Sequence, residues 1–335
     1  EVVGNDIPRI DYTDSTEGAL LLENSSTNLI TYSEDFSQSV WSLGSNTVLT
    51  YEPNITAPDG SLGVYRLTLS AQSSTFLQFQ TGSGNTNYTG SIYAKSASGN
   101  DEGFNLFYGG TSSNRFITNN DWLRYDYNDS GTQFTIVNDG DEFVTDIYIW
   151  GAMLEQGSVA SSYIPTNGST VQRAAETCND SGNSEVFNSQ EGVLYCYIYT
   201  PADNTEKWIT ISNSSNQKLV LYISSSNKLR TFVSGTSVDM NENIDLSIYN
   251  KIAFRYKDNS YTLFLNGIEI QRVNSGLLPQ NFNVIDLARS SSSSPFNNFY
   301  GNTKDLRVYS TALNDSDLET LTSYRSLNEM VTELN

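Results

Sequence analysis

The chain has 335 residues, with 18 Lys and Arg against 38 Asp and Glu for a net charge of −20, and no histidine. That balance excludes nucleic acid as a partner, because neutralising phosphates takes Lys and Arg. The missing imidazole excludes Ser-His-Asp and Cys-His catalysis and zinc–histidine sites, while paired-carboxylate chemistry survives as an option.

The length suits two domains. With 21 Tyr, 15 Phe and 4 Trp, a packed core is expected rather than disorder. Short apolar runs between Gly, Asn, Asp and Ser turns predict an all-β protein, two tandem antiparallel jelly-roll β-sandwiches with a short C-terminal helix. No stretch of 18 apolar residues occurs, so no membrane-crossing helix is expected. No charged-then-apolar leader marks a signal peptide.

Residues 1–26 read as an N-terminal arm, extended at Ile7–Tyr12 by its proline. Gly18–Leu22 reads as a short strand on the first sandwich. That sandwich is expected over 27–166, with strands at Thr47–Tyr51, Gly63–Leu69, Thr75–Gln80, Tyr88–Ala94, Gly103–Tyr108, Trp122–Tyr127, Gln133–Val137 and Asp146–Trp150. The last of these alternates like a half-buried strand, and Gly151 is expected to break it. Its partner is sought in Asn28–Trp41, where Leu29, Ile30, Phe36 and Trp41 supply apolar side chains. Trp41 and Trp150 read as core.

Residues 167–189 are small and polar and predict a linker. A second sandwich follows over 190–313. Its strands are expected at Gly192–Tyr199, Trp208–Ser212, Lys218–Ile223, Lys228–Val233, Asn250–Tyr256, Ser260–Leu265, Ile268–Val273, Val284–Ala288 and Gly301–Tyr309. Asn266-Gly267 between two alternating runs is a strong hairpin signal. Residues 314–335 predict a helix capped by Asn314 or Asp315. Tyr324, Leu327, Val331 and Leu334 would either pack it on its own domain or form a seam between copies of the chain.

Sugar rings are bound by aromatic faces with amides and carboxylates nearby. In the first sandwich Trp122, Tyr125 and Tyr127 are candidates, with Asn119, Asn120 and Asp121 before them and Tyr88 and Tyr108 as second choices. In the second, Trp208, Phe296, Phe299 and Tyr300 sit by Asn- and Ser-rich loops. Each of these also reads as ordinary core or a scattered surface aromatic. Acidic residues lie mostly in turns, where Asp serves the backbone, so no catalytic set is expected and the protein reads as a non-enzyme. The compact turn Asp139, Asp141 and Glu142, and the pair Glu34 and Asp35, are candidate calcium ligands beside the default of solvated turns. No other cofactor is expected. Cys178 and Cys196 read as two free thiols or as a disulfide tying the linker to the second sandwich.

Two segments, NLITYSEDFSQSVW (28–41) and DIYIWGAMLEQGSVASSYIPTNGSTVQRAAE (146–176), with GALLLENSSTNL before the first, resemble paired signatures of bacteriophage virion proteins, mostly tail-fibre or receptor-binding proteins. The same opening and closing segments resemble carbohydrate-binding modules of the family-4/9 type, although the acidic pair that often holds their calcium is absent from Tyr148–Ala152. Glu191–Tyr195, Lys251–Gly267, and Gly301–Leu313 followed by Asp315–Leu318 resemble the concanavalin-like, laminin-G-like fold. The resemblance implies a virion protein that attaches to host surface glycans, located in the extracellular particle. It implies contacts with other virion proteins and a homo-oligomer (a trimer is one arrangement), beside the expectation from charge and hydropathy of no nucleic acid and no membrane insertion. The alternatives are a head or tail decoration with a structural role and a secreted bacterial carbohydrate-binding module.

Overall fold

The structure, a computed structural model, describes residues 7–71, 75–80, 87–107, 113–138, 144–235, 238–288 and 298–324. It is all-β with one short helix, as the turn-punctuated apolar runs predict. No helix among the described residues is long and apolar enough to cross a membrane. The chain divides into two compact units, one of residues 25–174 and one that joins residues 1–24 to 175–335.

The chain opens with β1 (Ile10–Asp11) and β2 (Ala19–Leu22). The 25–174 unit follows with β3 (Ser26–Asn28), β4 (Trp41–Leu43), β5 (Thr47–Thr56), β6 (Leu62–Leu69), β7 (Phe76–Gln80) and β8 (Asn87–Ser96). It continues with β9 (Glu102–Phe107), β10 (Ser113–Thr118), β11 (Leu123–Ser130), β12 (Gln133–Val137), β13 (Thr145–Gln156) and β14 (Val171–Arg173). One antiparallel sheet runs β10-β9-β12-β7-β4 and the other β11-β8-β13-β6-β5, with β3 and β14 paired beside them. Between the sheets lies a core that includes Ile30, Phe36, Trp41, Leu67, Ile92, Phe104, Phe134, Ile147 and Ile149. Alternate residues of the sheet strands face it, because successive side chains in a strand point to opposite faces, and the parity shifts once at the bulge in β13.

β13 does not stop at Gly151. It runs to Gln156 through a register shift between Trp150 and Met153, because Gly151 takes a left-handed φ of 64° that forms a bulge instead of an end. A Cβ there would also lie 3.2 Å from Tyr93 Cδ2 and 3.3 Å from Tyr163 Cζ. Gly151→Ala is therefore expected to cost about 2 kcal/mol, read as a lower urea midpoint for this unit.

The opening segment meets β13 through one buried amide. Asn28, with no exposed surface, accepts at Oδ1 from Leu154 N and Ile30 N, both at 3.1 Å. Its Nδ2 donates to Ile164 O at 2.8 Å and Ala152 O at 3.3 Å. Leu29 N to Leu154 O and Ala152 N to Ser33 O, each 2.8 Å, extend the contact along the backbone. The two sequence segments that stand far apart in the chain thus close one side of this sandwich together.

The second unit takes up β15 (Glu191–Tyr199), β16 (Lys207–Ser212), β17 (Lys218–Ile223), β18 (Lys228–Val233), β19 (Asn241–Asn243) and β20 (Asn250–Lys257). It ends with β21 (Ser260–Leu265), β22 (Ile268–Val273), β23 (Val284–Asp286), β24 (Gly301–Tyr309) and the helix α1 (Asp315–Thr322). Its sheets run β1-β2-β24-β15-β20-β21-β22 and β19-β18-β17-β16-β23. Asn266 and Gly267 take positive φ of 50° and 87°, the conformation a two-residue hairpin requires between β21 and β22.

Residues 18–22 do not join the first sandwich. Leu20 pairs with Thr303 and Leu22 with Gly301, and Leu22 is buried in the core of the second unit. A local apolar run states that a strand exists, not which sheet it completes. The N-terminal stretch is held by charge as well, since Arg9 bonds Glu23 and, at 2.7 Å, Glu176. The stretch 167–189, expected as a linker, is shared between the units. Asn167 and β14 pair with Tyr32 and β3, while Ser181 bridges Ile285 and Phe187 enters the second core.

The helix is shorter than its periodicity predicts. Asn314 caps it by accepting from Asp317 N at 2.9 Å, and the chain turns extended at Ser323. Tyr324 stands beyond the helix, its hydroxyl donating to Tyr249 O at 2.5 Å. Leu327, Val331 and Leu334 lie outside the described residues. Cys178 and Cys196 are both free thiols, not a disulfide. Cys196 is buried in the core, which pushes its thiol pKa up.

Candidate functional site

The sheet β11-β8-β13-β6-β5 turns one face to the core and leaves the other outward, and strand parity sorts the side chains between them. Ile147 and Ile149 face in. Tyr148 and Trp150, one step along, join a separate outward cluster with Val64, Tyr93, Trp122 and Tyr163. Two rows cross this face. Lys95 and Arg66 both stand opposite Tyr148, and Trp122 lies next to Lys95, since Leu123 pairs with Ala94. The second row sets Arg124 opposite Tyr93 and Tyr93 opposite Trp150.

The rings are fixed by contacts on several sides. Trp150 lies 4.9 Å from Tyr163 and 5.6 Å from Tyr93, centroid to centroid. The Trp122 indole donates to Thr56 O at 2.9 Å, and Lys95 Nζ lies 5.0 Å above its ring and 5.7 Å from that of Tyr148. Arg124 lies over Tyr93 at 5.8 Å and donates to Ser91 Oγ at 2.7 Å and Ser161 O at 2.5 Å.

Carboxylates border the face. Arg66 holds Asp146 through Nε at 2.8 Å and Nη2 at 2.5 Å, and that bidentate pair lowers the Asp146 pKa. Glu34 accepts from Tyr163 OH at 2.9 Å. Burial raises its pKa, with the charge of Asp59 adding to the effect and the tyrosine bond opposing it. The result is a surface with rigid aromatic planes, cationic donors and carboxylate acceptors, which is the equipment that takes up a sugar ring and its hydroxyls.

Of the residues singled out from the sequence, Trp122 stands on this face, and exposed Asn119, Asn120 and Asp121 form the turn leading to it. Tyr125 and Tyr127 have the opposite parity and pack on the core. Tyr125 contacts Phe104 and Phe116 and donates to Ile117 O at 3.1 Å. Tyr88 is buried in the same core. Trp150 is buried as expected, but in the outward cluster. Composition and turn signals do not mark Tyr93, Lys95, Tyr148 and Tyr163, which complete the face. The alternation Asp146-Ile-Tyr-Ile-Trp150 contains the signal for Tyr148, since its two isoleucines define the core side.

In the second unit Trp208, Tyr222 and Arg230 are in register across β16, β17 and β18. Trp208 and Tyr222 stack at 4.6 Å, and Arg230 lies 5.7 Å from the Tyr222 ring while holding Asp239 at 2.7 Å. Phe299 is core. Tyr300 is half-buried, with its hydroxyl 3.2 Å from Asn298 Nδ2. Tyr108 and Phe296 lie outside the described residues.

Asp139, Asp141 and Glu142 also lie outside the described residues, among which no cluster of three metal-ligating side chains occurs. Asp35 does not present free oxygens. Burial raises its pKa, but hydrogen bonds from Ser37, Gln38 and Tyr65 outweigh that and hold it at about 2. Its donors are protein groups.

Residues 180–319 match the family described as the Concanavalin A-like lectin/glucanases superfamily, in line with the laminin-G-like reading of the second sandwich. No curated protein matches the chain. Among solved structures it is similar to the CBM40 of the Ruminococcus gnavus IT-sialidase bound to α2,3-sialyllactose, at 18% identity over 44% of this chain and 97% of that one, with a TM-score of 0.37. It is similar to domain 4 of AbnA, a GH43 extracellular arabinanase from Geobacillus stearothermophilus in complex with arabinotriose, at 16% identity over 50% and 77%, with a TM-score of 0.34. Mouse laminin α1 domains LG4-5 align at 11% identity over 82% of this chain and 92% of that one, with a TM-score of 0.30.

Proposed function

We propose that this protein is a non-catalytic glycan-binding protein and that the outward face of the β11-β8-β13-β6-β5 sheet is its principal site. The observation that carries the reading is the row Trp122, Lys95, Tyr148 and Arg66, which puts half-buried ring planes and charged groups side by side on the face turned away from the core. The concanavalin-like match of residues 180–319 supports a lectin-type partner domain in the same chain, where the stacked Trp208–Tyr222 pair is a second candidate surface.

The setting we propose is a phage virion, in which the protein attaches the particle to host surface glycans. The support for it is the resemblance of the segments at 28–41 and 146–176 to virion proteins. Weak single sites would gain strength there from several copies acting on one cell, without any new contact.

A glycan array probed with the full chain tests the binding. Selective binding is expected, and Trp122→Ala should weaken it at least about tenfold, the loss of one well-placed stacking ring. An array without selective binding by the folded protein would refute the reading. Immunogold labelling of intact virions tests the setting separately.

A further inference from the structure

Many cations of this acidic chain are answered by carboxylates. Arg9 meets Glu23 and Glu176, Arg66 meets Asp146, Lys207 meets Asp203, and Arg255 and Arg272 share Asp315. Lys95 is different. Among the described residues no carboxylate lies within ion-pair distance of its Nζ, whose neighbours are the rings of Trp122 and Tyr148. An ammonium group is a donor only, with three N–H bonds to give, and ring faces accept its charge without using up those bonds.

Arg124 adds to the imbalance. It spends N–H groups on Ser91 Oγ and Ser161 O, which are neutral acceptors. Asp146, two residues before Tyr148, has both oxygens engaged by Arg66, and Asp126, two residues from Arg124, is exposed. A net charge of −20 makes an unanswered cation among aromatic rings a local exception to the field of the whole molecule.

We propose that the ligand of this face is a glycan bearing a carboxylate, received by Lys95, which stands between Trp122 and Tyr148. The proposal rests on the glycan-binding reading above and gives it a ligand class. Uronic and sialic acids both carry the required group.

Calorimetric titration of the full chain with two ligand pairs tests it. One pair is a galacturonic acid trisaccharide and its carboxyl-reduced form, the other 3′-sialyllactose and its carboxyl-reduced form. One acid is expected to bind at least about tenfold more tightly than its reduced partner, the worth of one charge-assisted hydrogen bond, and the pair that shows the preference identifies the source. The preference should weaken with added salt, vanish in Lys95→Met and persist in Lys95→Arg. If acid and reduced forms bind equally, or Lys95→Met keeps the preference, the carboxylate proposal fails and glycan binding stands. If neither acids, reduced forms nor an array of neutral glycans bind, both fail. Should Lys95→Met not fold by circular dichroism, the wild-type comparison of acid against reduced form decides alone.

Discussion

Asn28→Ala is expected to destabilise the 25–174 sandwich by about 4 kcal/mol, enough to remove much of the stability of an ordinary domain. The amide makes four hydrogen bonds, to Leu154 N, Ile30 N, Ile164 O and Ala152 O. Each is worth about 1 kcal/mol net, and buried groups left unpaired cost more than the bond itself. Alanine removes all four and leaves a cavity where water has no ready access. Asn28→Asp should be as harmful, because a carboxylate would face two carbonyl oxygens. Urea unfolding followed by tryptophan fluorescence measures the effect, with Trp41 and Trp150 as buried reporters in this unit. A loss under 1 kcal/mol would mean that the strand pairing of β13 with β6 and β8 suffices without the amide.

Removing residues 1–24 should destabilise the sandwich that ends the chain, not the one that follows in sequence. The deletion strips β2 from the edge of β24 and takes Leu22 out of the core. It also removes Arg9 from Glu176 and Asp11 from Asn302, which bond at 2.7 Å and 2.8 Å. A drop of about 3–5 kcal/mol is expected from one buried leucine and a lost edge strand. Hydrogen exchange read by peptide would show the change in β24 and β15, with β6, β8 and β13 unchanged. Faster exchange confined to residues 25–174 would contradict the assignment of these strands.

Much of the strand layout is legible in the residues. Lys218–Ile223, Lys228–Val233, Ser260–Leu265, Ile268–Val273 and Gly301–Tyr309 are strands at the bounds the alternation indicates. What pattern reading misses is long-range. Residues 19–22 show a strand but carry no mark of a partner at 301–303. The helix stop at Ser323 is hidden because Tyr324 and Leu327 continue a helical spacing.

The candidate site was partly legible. Trp122 is legible, but nearness in sequence groups Tyr125 and Tyr127 with it and hides their parity. Parity separates them as firmly as distance would. Lys95 and Tyr148 lie mid-strand, where no turn signal marks them. Their role comes from being neighbours across β8 and β13, a relation that only pairing creates.

The insertion of one sandwich within the strands of the other sets an order of events during synthesis. Leu22 leaves the ribosome well before its partner Gly301, which follows about 280 residues later, some 15–60 s at ordinary elongation rates. Throughout that interval β2 is an apolar strand with no sheet to join. The inserted sandwich has all its strands by Arg173 and can close first. By folding, it brings residues 24 and 175 of the waiting chain near each other, since β3 and β14 are already paired. The late sandwich then closes a loop that its guest has shortened, and the entropy of that closure is reduced before β24 arrives.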